Sequence, residues 1–144
     1  MKSLLLLMVI SVSAFVSFAQ APKNTNLIII KNVKEDSVVS VLIDAGYEIK
    51  SVIAHNIVTD YKNVNSSVRV KLNVRMKEGN AYLTGRVSDV AAAIAFGYKN
   101  ADDVNDPIRN KGMKGSTLGD AWHSMDKVAK LIGTEIEYVV EKKN

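Results

Sequence analysis

The sequence contains no cysteine. That excludes disulfide staples, thiolate zinc sites, a cysteine nucleophile and lipid attachment through an N-terminal cysteine. Histidine is scarce, with His55 and His123 alone, so only two side chains titrate near neutrality without a shift. No HExxH, GxSxG or metal-spaced histidine pair occurs. Nor is there an excess of one charge: 19 Lys+Arg stand against 15 Asp+Glu in 144 residues. With 24% charged residues the chain is too polar for a membrane bundle, and with 47% hydrophobic residues it is too apolar for a disordered one. One domain fits the length.

What is present begins with an address. Met1–Ala19 reads as a secretory signal: Lys2 is the positive start, Leu4–Ile10 an unbroken apolar run, and Ser17-Phe18-Ala19 a small-residue cleavage pattern. A second possible cut follows Ala21. The apolar stretch is short for a membrane anchor, which needs about 20 residues. The expected product is exported, soluble and without a membrane anchor, and it carries a net charge of +3.

The remainder reads as a flexible leader over 20–26 and one α+β domain over 27–144. Leu27–Ile30 is short and β-branched, as in a central strand. Val38, Val41, Leu42 and Ala45 fall at helical spacing, with Asp36 as the expected N-cap and Gly46 as the stop. Tyr47–Ala54 suits a strand, turning at His55-Asn56. Asn65-Ser66-Ser67 matches a glycosylation acceptor, a tripeptide common by chance. The strongest periodicity is Val68, Val70, Leu72, Val74 and Met76 alternating with Arg69, Lys71, Asn73, Arg75 and Lys77, a strand with one wet face. The turn Lys77-Glu78-Gly79-Asn80 returns it as a hairpin over Ala81–Val87. Val90–Tyr98 suits helix or strand, and 99–117 is a long irregular loop. Trp122, Met125, Ala129, Ile132, Ile136 and Val139 form one helical stripe. It predicts a single helix passing through Gly133, opened by a capping box of Thr117 and Asp120. The alternative ends the helix at Gly133 and makes 135–140 a strand.

These elements predict an antiparallel sheet of four to five strands with two helices packed on one face. The order resembles small exported bacterial domains of unknown function with a TATA-box-binding-protein-like fold. The resemblance rests on Leu27–Val33 leading into the Asp36-Ser37 helix, on VRVKLNVRMKEGNAYLTG, and on Trp122, Met125, Ala129, Ile132 and Tyr138. It implies a fold and no catalytic residues, and a fold name does not bring DNA binding with it.

Two places carry candidate chemistry. Lys111, Lys114, Ser116 and Thr117 stand at the start of the last helix, where amides, lysines and hydroxyls suit an anion, and His123 lies six residues on. The residue order is wrong for a P-loop. The acidic run Asp102, Asp103 and Asp106 lacks the frame of a calcium loop, so neither metal nor cofactor is expected. Arg69, Lys71, Arg75 and Arg86 make a basic strand face, which Asn73 interrupts. With few aromatics and a low net charge it does not suit nucleic acid. It suits a protein or small-ligand partner, if the helices leave that face open. The expected function is therefore non-enzymatic binding through the open face or the 99–117 loop. The alternatives are an enzyme with its site near 111–117 and His123, and a structural or dimerising module.

Overall fold

A computed structural model describes residues 20–142. The expected export signal, Met1–Ala19, lies outside the described residues. The alternating segment forms β5 (Val68–Lys77), and its partner β6 (Asn80–Asp89) returns antiparallel in continuous register from Val68↔Asp89 to Lys77↔Asn80. Only Glu78 and Gly79 lie between them, with φ of 52° and 74°. Two successive positive φ values define the turn whose twist suits a two-residue hairpin.

The hairpin is the spine of an open antiparallel sheet. On one side β3 (Asn56–Thr59) pairs with β5, and β2 (Ile49–Ile53) pairs with β3. On the other side β1 (Leu27–Ile30) pairs with β6, and β8 (Ile136–Val139) pairs with β1. Two short strands extend the far end: β4 (Lys62–Asn63) beside β5, and β7 (Asn105–Pro107) beside β6. Among the described residues the sheet therefore has eight strands, against an expected four to five. β4 and β7 are too short to carry a period of their own, and β8 was hidden in the helical stripe.

Among the described residues three α-helices accompany the sheet, one more than expected: α1 (Glu35–Asp44), α2 (Val90–Ala95) and α3 (Thr117–Ile132). α1 and α3 pack on each other and lay Val38, Leu42, Ala121, Trp122, Met125 and Ala129 against Ile28, Ile30, Val70, Leu72, Val74 and Leu83. Among the described residues no helix is long and apolar enough to cross a membrane. α2 resolves the ambiguity of Val90–Tyr98 as a helix capped by Asp89, whose carboxylate accepts from the Ala92 amide at 3.0 Å. α1 starts one residue before the expected cap: Lys34 holds the N-cap position without a side-chain bond. In α3 the cap is Ser116, one residue before Thr117, with its Oγ accepting from the Gly119 amide at 3.1 Å.

The expectation of one helix through Gly133 fails. α3 ends at Ile132, and Gly133 is extended. A Cβ on Gly133 would stand 2.7 Å from Ile30 Cγ2 and 3.2 Å from Val33 Cγ1. The absent side chain lets the chain turn tightly against β1, and β8 then pairs Ile136 with Ile30 and Tyr138 with Ile28. Ile136 kept the phase because it packs against the same core as the helix; in β8 its core-facing companion is Tyr138, while Val139 falls on the other face.

Residues 20–26 also make specific contacts. Thr25 is fully buried, the Asn24 amide donates to Asn110 O at 2.8 Å, and Asn110 Nδ2 donates to Ala21 O at 2.8 Å.

Candidate functional site: the uncovered sheet face

Alternation in β5 and β6 sends one set of side chains into the helix-covered core and the other to the opposite face. Register aligns the second set in cross-strand pairs: Arg69 with Ser88, Lys71 with Arg86, Asn73 with Thr84, Arg75 with Tyr82, and Lys77 with Asn80. All four basic residues expected on one face lie there, while α1 and α3 set their buried side chains against the alternate residues of the same strands.

They are not equivalent. At the far end a 3-10 turn, Ala101–Asp103, folds over the face. The buried Ser88 hydroxyl donates to Ala101 O, and Arg69 Nη2 meets Asp102 Oδ1 at 2.9 Å. The Arg69 guanidinium carbon also sits 5.1 Å from the centre of the Tyr61 ring, a cation–π distance. Burial pushes the Tyr61 phenol above its ordinary value, the Asp102 carboxylate adds to the rise, and Arg86 and Arg69 oppose it. Arg69 is thus neutralised and braced, and it ties the 99–107 loop to the sheet.

Lys71, Arg75 and Arg86 have no carboxylate within 4.0 Å among the described residues. Lys71 Nζ lies 5.7 Å from the Tyr61 ring centre, and Arg86 Nε donates to Asn105 Oδ1. Arg75 stands four residues along β5 from Lys71, about 13 Å away at ordinary strand rise. Between them run two shallow grooves of about 620 and 720 Å³, the first lined by Arg75, Tyr82 and Asn56, the second by Lys71, Arg86 and Pro107. Both share Asn73, Thr84 and Glu141, so they form one trough along the hairpin.

The second candidate locus, 111–117 with His123, is separate from this face. Lys111 and Lys114 are exposed in the loop before α3. Ser116 Oγ donates to Met113 O at 2.7 Å while capping the helix, and Thr117 Oγ1 donates to Asp89 Oδ2 at 2.6 Å. Those bonds hold the Asp89 carboxyl below its ordinary value, the Thr117 hydroxyl first and the Ala92 amide second. Lys114, Asp120 and the exposed His123 line one cleft of about 700 Å³ between α1, α3 and β4. The Asp120 carboxylate is already engaged: Oδ1 accepts from the Gly115 amide at 2.8 Å, and Oδ2 from Asn65 Nδ2 at 3.0 Å. The loop's hydroxyls and one of its amides therefore bind the protein's own groups. His55, the other histidine, sits in the β2–β3 turn with Nδ1 2.7 Å from Glu35 Oε2.

Sequence reasoning missed Tyr61, Asp102 and Asn105, which brace the basic residues. The oxygen-rich run marked Asp102 and Asn105 but not as braces, because their partners on β5 and β6 are remote in the chain. Among the described residues no three His, Cys, Asp or Glu side chains group as metal ligands.

Fold and face together define a small α+β domain with an open antiparallel sheet whose cation-bearing face the helices leave uncovered. No protein-family model and no curated protein matches the sequence.

Proposed function

We propose that the chain is an exported, non-enzymatic binding domain of TATA-box-binding-protein-like architecture. Its uncovered sheet face takes a partner protein or small ligand bearing anionic groups. The observation that carries the reading is the trough along β5 and β6, which holds Lys71, Arg75 and Arg86 without a carboxylate partner. Export is supported by the Met1–Ala19 pattern, and one uncovered face on an antiparallel sheet is a common way to receive a partner.

The test is capture of partners from the exported fraction by the purified protein, with wild type compared against K71Q/R75Q/R86Q. Loss of a captured species in the triple variant, with its denaturation midpoint unchanged, supports the reading. Equal capture by both proteins removes it. Mass measurement of the secreted product checks the cleavage expected after Ala19 or Ala21.

A further inference from the structure

We infer that Lys71 and Arg86 together form a subsite for a tetrahedral oxyanion, the phosphate or sulfate group of a ligand. This rests on the reading of the uncovered face as a binding surface and names the chemistry that one part of it recognises. The two residues are direct cross-strand partners. Their Cβ atoms are therefore held about 5 Å apart on the same face. Like charges at such positions repel and destabilise a sheet. Two residues back on the same strand, Arg69 is relieved by an acid, Asp102 at 2.9 Å. Lys71 and Arg86 are not.

Both cations are instead held in place by neutral groups. Arg86 Nε donates to Asn105 Oδ1, which orients the guanidinium and leaves its terminal nitrogens unbonded among the described residues. The Lys71 ammonium lies against the Tyr61 ring. Neutral bracing fixes position without cancelling charge, which is what a preorganised anion site needs. A planar guanidinium beside a compact ammonium suits a group with oxygens in several directions. An Arg fork matches phosphate or sulfate in two contacts, and the lysine adds a point charge. A phosphate monoester carries about −1.5 to −2 at neutral pH, which matches two cations better than one carboxylate does. Asn73 and Thr84, the next pair along, extend the groove toward Arg75 and supply polar contacts for the body of the ligand. The acid on this rim is Glu141, with Lys142 beside it in the same groove lining.

The experiment titrates the ¹⁵N-labelled protein with sodium sulfate and with glycerol phosphate against chloride at constant ionic strength. A parallel arm uses vesicles containing phosphatidic acid. Saturable amide shifts centred on 70–72 and 85–87, weakened about tenfold or more in both K71Q and R86Q but not in K127Q, are expected. Dependence on both residues in the soluble arm assigns a soluble phosphate or sulfate. The same dependence in the vesicle arm alone assigns a headgroup. Binding that is equal in wild type, K71Q and R86Q, or no saturation in either arm, overturns the proposal. A second readout is stability: without anion, K71T should unfold at a higher urea concentration than wild type, and sulfate should stabilise wild type more than K71T. If K71T is less stable than wild type and responds equally to sulfate, the repulsion and the site both fail. Failure here with partner capture still lost in the triple variant removes the oxyanion site and leaves the face. Anion binding with capture unchanged does the reverse.

Discussion

Replacing Gly133 by Ala separates two accounts of the C-terminal segment by the sign of one number. In a helix interior the change would gain about 1 kcal/mol, since glycine is the poorer helix former by that amount. In the structure Gly133 is extended and sits under β1, where an added Cβ would be 2.7 Å from Ile30 Cγ2 and 3.2 Å from Val33 Cγ1. Ordinary carbon contacts are about 3.5–4.0 Å, so Ile30 must yield by roughly 0.8 Å. It has little room, because it is fully buried and β1 is held between β6 and β8. Overpacking of this kind costs about 1–3 kcal/mol. The lower entropy of the unfolded alanine chain offsets about 0.4–1 kcal/mol of that, since alanine accepts the extended backbone. The net expectation is a loss of about 1–2 kcal/mol.

Urea unfolding measures it directly: at an unchanged slope, the G133A midpoint should fall by roughly 1 M. The same substitution in an I30A background should cost less, because the clashing methyl is gone, and the difference is the coupling energy of the pair. A G133A midpoint equal to or above wild type would refute the close approach and return the segment to a continuous helix.

Two further expectations concern pH. The bonds from Thr117 and Ala92 depress the Asp89 carboxyl, so its stabilisation is complete above the unfolded value near 4 and is lost as pH falls through the lower folded value. D89N should be less stable than wild type at pH 7, with the gap closing on acidification, and T117V should raise the Asp89 titration seen by carboxyl NMR. A constant gap across acid pH would count against both. Tyr138 donates to Asp126 Oδ1 at 2.6 Å; burial first, and the carboxylate second, push its phenol well above the usual 10. With the folded pKa raised, its contribution is present below pH 10 and lost as pH climbs toward the folded value, so Y138F should flatten the alkaline fall in urea midpoint between pH 9 and 11. Parallel curves for the two proteins would remove that role.

Much of the architecture was legible because period and burial coincide. Val68, Val70, Leu72 and Val74 alternate in sequence and are buried at 3% exposure or less. Trp122, Met125 and Ala129 keep helical spacing and face the same core. The C-terminus misled for a physical reason: Ile132 and Ile136 are four apart, as on a helix, yet each meets the core from a different element. Spacing alone cannot separate two elements that share one core. β4 and β7 were invisible because two or three residues pair only when a longer neighbour is already in place.

The site was legible in part, and the boundary lies between local and remote contacts. Alternation placed Arg69, Lys71 and Arg75 on one face. It could not show that Arg69 is spent on Asp102, a residue 33 positions away. The opposition of Lys71 and Arg86, by contrast, was latent in the turn. Once Glu78 and Gly79 are the only loop residues, pairing outward from Lys77↔Asn80 must bring Lys71 to Arg86. A slip of one residue would set Lys71 against Gly85 or Val87 and send the hydrophobic set to the wet face. The burial of Val70, Leu72 and Val74 forbids that slip. The core that fixes the register therefore also holds two unpaired cations side by side, and the repulsion between them is sustained by packing on the opposite face of the same strands.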